Sequence, residues 1–288
     1  MSKVILITGA STGFGRDTAE TLAGEGHRVF ASMRGVEKKN REHAQALKNR
    51  GVEVVELDVT DTVSVNKAVE EITQKAGRID VLINNAGIAS AGVSEAFTDQ
   101  QVTALFDVNV VGVHRVTRAV LPILRRQQSG LIINIGSILG RVTFPFFGIY
   151  GASKFAVEAL TDSLRYETSQ FGVEVALVQP SAYPTNMYAS ADHPLEPNRV
   201  EEYGPIGEIP AAMFQNFATM FEGPSAPNAH DVAETIVKLV QTPTGQRPVR
   251  TVVGTSFGAD TVNESVEPLQ AGAVEALGLD HLQTIKVS

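Results

Sequence analysis

Val4-Ile5-Leu6-Ile7, followed at once by Thr8-Gly9-Ala10-Ser11-Thr12-Gly13-Phe14-Gly15, is the stretch that decides the fold. So short an apolar run does not fill a helix; it reads as a strand buried on both faces, as in a parallel sheet covered by helices. Glycines then allow a tight turn, and a helical pattern opens near Gly13. Working outward, similar runs rich in β-branched residues recur at 28–32, 53–57, 81–83, 131–135, 173–178 and 249–253. Helical periodicity occupies 13–23, 39–49, 63–75, 101–127, 151–170 and 230–240. Such alternation builds βαβ units with right-handed crossovers. The sequence therefore predicts one α/β domain over residues 1–288, a doubly wound parallel sheet of about seven strands flanked by helices.

Two segments depart from this rhythm. Between 182 and 229 the prolines 184, 194, 197, 205, 210, 224 and 227 punctuate the chain around a helical patch at 211–221. An insertion of this length is commonly a functional lid. Met187, Tyr188, Met213, Phe214, Phe217, Met220 and Phe221 give it an apolar face, suited to local packing or to substrate contact. Beyond 253 a C-terminal extension, 254–288, carries a helical pattern near 266–277 and is expected either to cover a pocket or to meet another subunit.

Composition narrows the function. With 24 basic and 32 acidic side chains the net charge is -8, which disfavours non-specific binding to nucleic acid or an anionic membrane. The absence of cysteine removes disulfides, thiolate catalysis and thiolate metal sites. The six histidines (27, 43, 114, 193, 230 and 281) show no ligand spacing, so no metal is expected. No apolar run approaches the roughly 20 residues of a membrane span, and the N-terminal run is too short for a signal peptide. A cytoplasmic protein is expected.

The glycine turn suits a dinucleotide. Gly9, Gly13 and Gly15 let a pyrophosphate approach the backbone. Ser11, Thr12 and Phe14 share the turn, and the following helix offers free N–H groups and a positive dipole end. The spacing G-x-x-x-G-x-G differs from the general Rossmann fingerprint. The second strand ends in Met33-Arg34, where NAD-binding folds place a carboxylate; an arginine there fits a 2′-phosphate, with Lys38 and Lys39 nearby. NADP(H) is thus expected over NAD(H), the plainer account of Arg34 being a solvated loop residue. Asp58, beside Val59, stands where a carboxylate accepts from an adenine amino group, or else caps the next helix. Asn84-Asn85-Ala86-Gly87 ends the fourth strand and suits either a backbone lying close to the adenosine ribose or a plain turn.

Tyr150 and Lys154, at i and i+4, share one helix face. A ketone receiving hydride needs a proton, and tyrosine alone, with a pKa of about 10, exchanges one poorly. A cation ~4 Å away at an effective dielectric near 20 favours the phenolate by roughly 4 kcal/mol, bringing it toward useful acid–base chemistry. Ser137, at the end of the fifth strand, is placed to hold the substrate oxygen. Asn109 is an isolated polar residue between Val108 and Val110, a candidate to hold a water leading to Lys154 or simply a satisfied buried amide.

Taken together and in this order, residues 8–15, 84–87, Asn109, Ser137 and 150–154 resemble the short-chain dehydrogenase/reductase family, over about residues 3–185 with the pattern continuing to about 253. The run from Phe30 to Arg34 is similar to its NADP-preferring branch, which includes steroid and retinol dehydrogenases and bacterial carbonyl reductases. The resemblance implies a catalytic tetrad of Asn109, Ser137, Tyr150 and Lys154, with Lys154 and Tyr150 also touching the cofactor. It places Pro180 and Thr185 near the nicotinamide. Two departures stand out: Pro180-Ser181-Ala182-Tyr183-Pro184-Thr185 replaces the family's usual Pro-Gly opening, and Gly136 stands where a second serine is frequent.

The function expected is hydride transfer between NADP(H) and a small-molecule ketone or secondary alcohol of apolar character. Other readings are a catalytically silent dinucleotide-binding regulator and a nucleotide-sugar epimerase or dehydratase. The intact tetrad speaks against the regulator, and the short stretch after Thr185 against the epimerase. The resemblance also implies a homodimer or homotetramer packed through residues 101–127 and 151–170, whose apolar Phe155, Val157, Leu160 and Leu164 would equally suit ordinary core.

Overall fold

The computed structural model describes residues 2–223 and 226–287, and all their side chains except those of Tyr188 and Ala189. The Tyr188 side chain and Pro224, read above as parts of the lid, lie outside what is described. Seven parallel strands form one sheet in the order β3-β2-β1-β4-β5-β6-β7. They are β1 (Val4–Ile7), β2 (Arg28–Met33), β3 (Glu53–Glu56), β4 (Val81–Asn84), β5 (Gly130–Ile135), β6 (Val173–Pro180) and β7 (Arg250–Val253). Every strand foreseen from the apolar runs is present, with ends shifted by no more than two residues.

The sheet is apolar on both faces because successive side chains point oppositely. In β1, Ile5 and Ile7 join one core with Leu22, Leu47 and Ile236, whereas Leu6 joins the other with Ile72, Val116 and Val120. The first layer is supplied by α1 (Gly13–Gly24), α2 (Arg41–Lys48) and α10 (His230–Gln241). Opposite lie α3 (Thr62–Ala76) and α5 (Gly112–Gln127), with α6 (Gly148–Ser169) beside them. Asp61 caps α3 by accepting from the Val63 amide at 2.8 Å, and Gly77 closes it in the left-handed region.

Polar groups also cross the centre of the sheet. Asn84 and Asn134 are register partners on β4 and β5. Asn84 Nδ2 donates to Asn134 Oδ1 at 2.9 Å and to Thr117 Oγ1 on α5 at 3.0 Å, and Asn134 Nδ2 donates to Thr161 Oγ1 on α6 at 2.9 Å.

The long helical stretch expected over 101–127 is interrupted. It comprises α4 (Asp99–Phe106), a π-helical turn at Asp107–Val111 and then α5. A π turn admits one extra residue per turn, and such insertions concentrate at functional positions; this one carries Asn109. The insertion after β6 folds as α7 (Asn186–Ala189), α8 (Pro197–Glu202) and α9 (Ile209–Glu222). The tail forms α11 (Ala259–Ala276), longer at its N-terminus than the pattern near 266–277 suggested. Of the apolar positions weighed on α6, Val157 is core, Leu164 is half-buried, and Phe155 and Leu160 are exposed.

Candidate active site

All site groups come from the C-terminal edge of the sheet, where ligands of open α/β folds bind. The turn after β1 is the first wall. Gly9 has φ +67°, and a Cβ there would stand 2.7 Å from the Ala86 Cα. Gly13 has φ +57°, and a Cβ there would project toward Thr185 across the groove, 3.9 Å from its Cβ. Thr12, the N-cap of α1, makes no side-chain cap bond, and no acidic residue lies in the first turn, so the leading amides keep their affinity for an anion.

Gly15 needs a correction. It does not line the groove; a Cβ there would meet Asn85 Nδ2 at 2.4 Å and Gly9 O at 2.6 Å, so its small size serves the packing of two loops. Asn85 makes that junction, donating through Nδ2 to Thr8 O and Gly9 O at 2.9 and 3.0 Å. Thr8 Oγ1 accepts from the amides of Asn85 and Ala86, both at 3.0 Å.

From this turn a groove runs past Gly9, Ser11, Thr12, Gly13 and Phe14 to Arg34, Lys39, Asp58 and Val59, and back along Asn85, Ala86, Gly87 and Thr185. Arg34 is half exposed, 3.8 Å from Asp58 Oδ2. Burial pushes the Asp58 carboxyl up, but hydrogen bonds from Thr60, with Arg34 and Lys39 nearby, outweigh it and hold the pKa below the ordinary value. The cap of α3 is Asp61, not Asp58. The carboxylate of Glu56 is occupied by the backbone amides of Gly35 and Val36, at 2.6 and 2.7 Å.

The groove opens into a second, apolar pocket, and Phe14, Asn85, Thr185 and Met187 line both. Ser137, Tyr150 and Lys154 stand together in this pocket. Pro180, placed by sequence at the cofactor, also lines this pocket and not the dinucleotide groove. Ser137 caps the 3-10 turn Ile138–Gly140, its Oγ accepting from the Leu139 amide at 3.1 Å. Tyr150 lies in the first turn of α6, which starts at Gly148, before the expected 151; its hydroxyl is 4.0 Å from Met187 Sδ.

Lys154 Nζ sits 5.6 Å from the Tyr150 ring centroid and donates to Ile135 O at 2.9 Å. Burial lowers its pKa to about 8, which leaves the ammonium mostly protonated at neutral pH. The Asn109 side chain proves a satisfied buried amide: Oδ1 accepts from the Ile88 amide at 2.9 Å, while Nδ2 donates to Ile88 O at 2.9 Å and Ser153 Oγ at 3.1 Å. Ser153 in turn donates to Tyr150 O at 2.7 Å, so Asn109 braces the β4 loop against the helix that carries Tyr150 and Lys154.

The profile of the short chain dehydrogenase family matches residues 3–196. The chain belongs to the short-chain dehydrogenases. Among curated relatives of this short-chain dehydrogenase, a 3-ketodihydrosphingosine reductase of Bacteroides thetaiotaomicron is 43% identical over 183 residues, 64% of this chain and 65% of that protein. The chain thus covers just under two thirds of that relative. Human 17-beta-hydroxysteroid dehydrogenase type 1 is 34% identical over 251 residues, 83% of this chain and 74% of that one. A short-chain dehydrogenase structure from Streptomyces avermitilis superposes with a TM-score of 0.77 at 30% identity, covering 96% and 97% of the two chains.

Two further solved relatives carry different dinucleotides. An actinorhodin polyketide ketoreductase with NADPH has a TM-score of 0.73 at 28% identity (90% and 97% coverage). A Burkholderia phymatum enzyme with NAD has a TM-score of 0.74 at 26% identity (93% and 95% coverage).

Several lining residues escaped the sequence reading. Phe144, Phe147, Thr255 and Phe257 form the far side of the pocket. Phe144 and Phe257 meet edge-on with centroids 5.3 Å apart. The Phe-Pro-Phe-Phe run at 144–147, between a strand end and the Tyr150 helix, is the signal that points to them. From the extension beyond 253, Thr255 and Phe257 reach the pocket, whereas the helix α11 does not line it. From the insertion after β6, Phe217 and Met220 reach it, and Phe214 and Phe217 pack on Phe147 with centroids 6.3 and 6.4 Å apart.

Proposed function

We propose that this short-chain dehydrogenase transfers hydride between NADP(H) and the carbinol or carbonyl carbon of a lipophilic secondary alcohol or ketone. The observation that carries the reading is the junction of the two clefts. A groove shaped for a dinucleotide, with uncapped helix amides and glycines where a Cβ would intrude, ends at Thr185, where the pocket holding Tyr150, Ser137 and Lys154 begins.

Bound there, the nicotinamide would supply or accept the hydride. The chain's own groups manage the rest. Ser137 Oγ holds the substrate oxygen, Tyr150 gives that oxygen a proton in reduction and removes it in oxidation, and Lys154 stabilises the phenolate. Asn109 fixes the loop and helix that bring them together. Arg34 and Lys39 at the adenosine end, with the Glu56 carboxylate already occupied, support a 2′-phosphate and hence NADP(H). Apart from Lys154 no charged side chain lines the reactive pocket among the described residues, and Phe144, Phe147, Phe217 and Met187 dominate its walls. That lining suits an uncharged apolar substrate.

The exposed Leu160, which lines the groove between α5 and α6, and the exposed Phe155 on the same helix support assembly as a homo-oligomer through that face. No helix among the described residues is long and apolar enough to cross a membrane. The decisive experiment is NADPH oxidation, followed by absorbance, over a panel of aryl and alicyclic ketones with NADH in parallel. Dinucleotide binding without turnover across the panel refutes the enzymatic reading.

A further inference from the structure

The C-terminal helix reaches the back of the reactive wall through a buried polar network. Arg141, the residue after the Ser137-capped turn, donates from Nε to Asn263 Oδ1 on α11 at 2.9 Å, and its Nη2 lies 3.0 Å from Glu158 Oε2. Glu158 is buried on α6, one turn beyond Lys154. Its other oxygen accepts from Gln179 Nε2 at 2.5 Å, and Asn263 Nδ2 donates to Gln179 Oε1 at 2.7 Å. Arg250 on β7 completes the set, donating to Glu158 at 2.8 Å and to Asp162 at 2.5 Å. Two cations and two carboxylates balance. The Ser137 turn lies directly on this cluster: a Cβ at Gly140 would meet Glu158 Cγ and Lys154 O, each at 3.1 Å.

We infer that Asn263, acting through Arg141, is a positioning residue that holds the Ser137 turn at its working distance from Tyr150. Asn263 bridges Arg141, in the loop after β5, and Gln179, on β6, and it sits on an element remote in sequence from every reacting group. Without it, Arg141 keeps its ion pair with Glu158 but loses the contact that fixes its direction, and the turn it terminates is free to shift. A displacement of about 1 Å at a reacting group can cost on the order of a hundredfold in rate.

The inference rests on the proposed role of Ser137, and a double-mutant cycle tests the two apart. Asn263→Leu, Ser137→Ala and the double variant are assayed for kcat per NADPH-binding site, KM and NADPH Kd, with whichever panel ketone the unmodified enzyme reduces fastest. Expected is a ten- to hundredfold fall in kcat for Asn263→Leu with NADPH Kd within about threefold, shrinking to less than about threefold in the Ser137→Ala background. An equal loss in both backgrounds, or no loss in either, overturns the positioning role while leaving Ser137 intact. Full activity in Ser137→Ala, or no turnover of any ketone, overturns the reading beneath it. Should Asn263→Leu not fold, Arg141→Lys, which retains the charge facing Glu158, replaces it in the same cycle.

Discussion

Replacing Lys154 by methionine should stabilise the folded chain while destroying its chemistry. The ammonium is buried, and that burial lowers its pKa from the ordinary 10.5 to about 8. The displacement corresponds to roughly 3 kcal/mol against folding at neutral pH. Losing the hydrogen bond to Ile135 O offsets about 1 kcal/mol. Methionine fills a similar volume with an adaptable apolar chain, so the net gain is about 2 kcal/mol, or roughly 4 °C in Tm for a domain of this size.

The pH dependence gives the sharper signature. Between about 8 and 10.5 the folded lysine has lost its proton while the unfolded one retains it, so stability conferred on the unmodified protein rises with pH through that window. The methionine variant lacks this rise, and the gap between the two proteins should close as pH approaches 10.5. Differential scanning fluorimetry of both proteins without cofactor, from neutral pH to the upper end of that window, reads the difference directly. A variant no more stable than the parent at neutral pH, with a gap indifferent to pH, would refute the reasoning.

Tyr150→Phe should lower kcat by about 10²–10⁴-fold with NADPH Kd unchanged by fluorescence titration, since only the proton-transferring hydroxyl is removed. Arg34→Ala should cut kcat/KM with NADPH roughly ten- to hundredfold and leave NADH within about threefold; equal effects on both cofactors would remove the 2′-phosphate assignment. Gly9→Ala combines φ +67° with a 2.7 Å approach to Ala86 Cα, and should lower stability by about 1–3 kcal/mol in thermal denaturation and weaken NADPH binding in parallel. Light scattering should report a homo-oligomer that Leu160→Glu dissociates; a monomer at micromolar concentration for the unmodified protein would dismiss that interface.

Much of the fold was legible because its strands are buried on both sides, and continuous runs such as Val4–Ile7 have few other interpretations. The dinucleotide turn was legible too, since glycine at positive φ leaves a mark in sequence. Gly15 shows the limit. The letter is conspicuous, but whether a missing Cβ makes room for a ligand or for Asn85 depends on a loop some 70 residues away. The π turn at Asp107–Val111 was hidden because inserting a single residue barely disturbs an apolar period already spanning several turns. By sequence pattern alone Asn109 therefore reads as a polar residue within an ordinary helix. Phe257 and Asn263 were invisible for another reason: their partners, Phe144 and Arg141, come from the loop after β5, and nothing local in the tail announces a contact over so long a separation.

The paired asparagines at the sheet centre have a consequence for how faithfully the chain assembles. In strands apolar on both faces, such as β4 and β5, a one-residue slip flips every side chain to the other face yet leaves its branched residues in hydrocarbon. Asn84 and Asn134 remove that freedom: sliding either strand by one residue, about 3.3 Å, carries an amide off its mate and strands it in hydrocarbon. Thr117 and Thr161 extend the same discrimination to the two helices behind. The middle of the molecule thus has a single alignment of low energy, and Ser137, two residues beyond β5, inherits its height above the sheet from it.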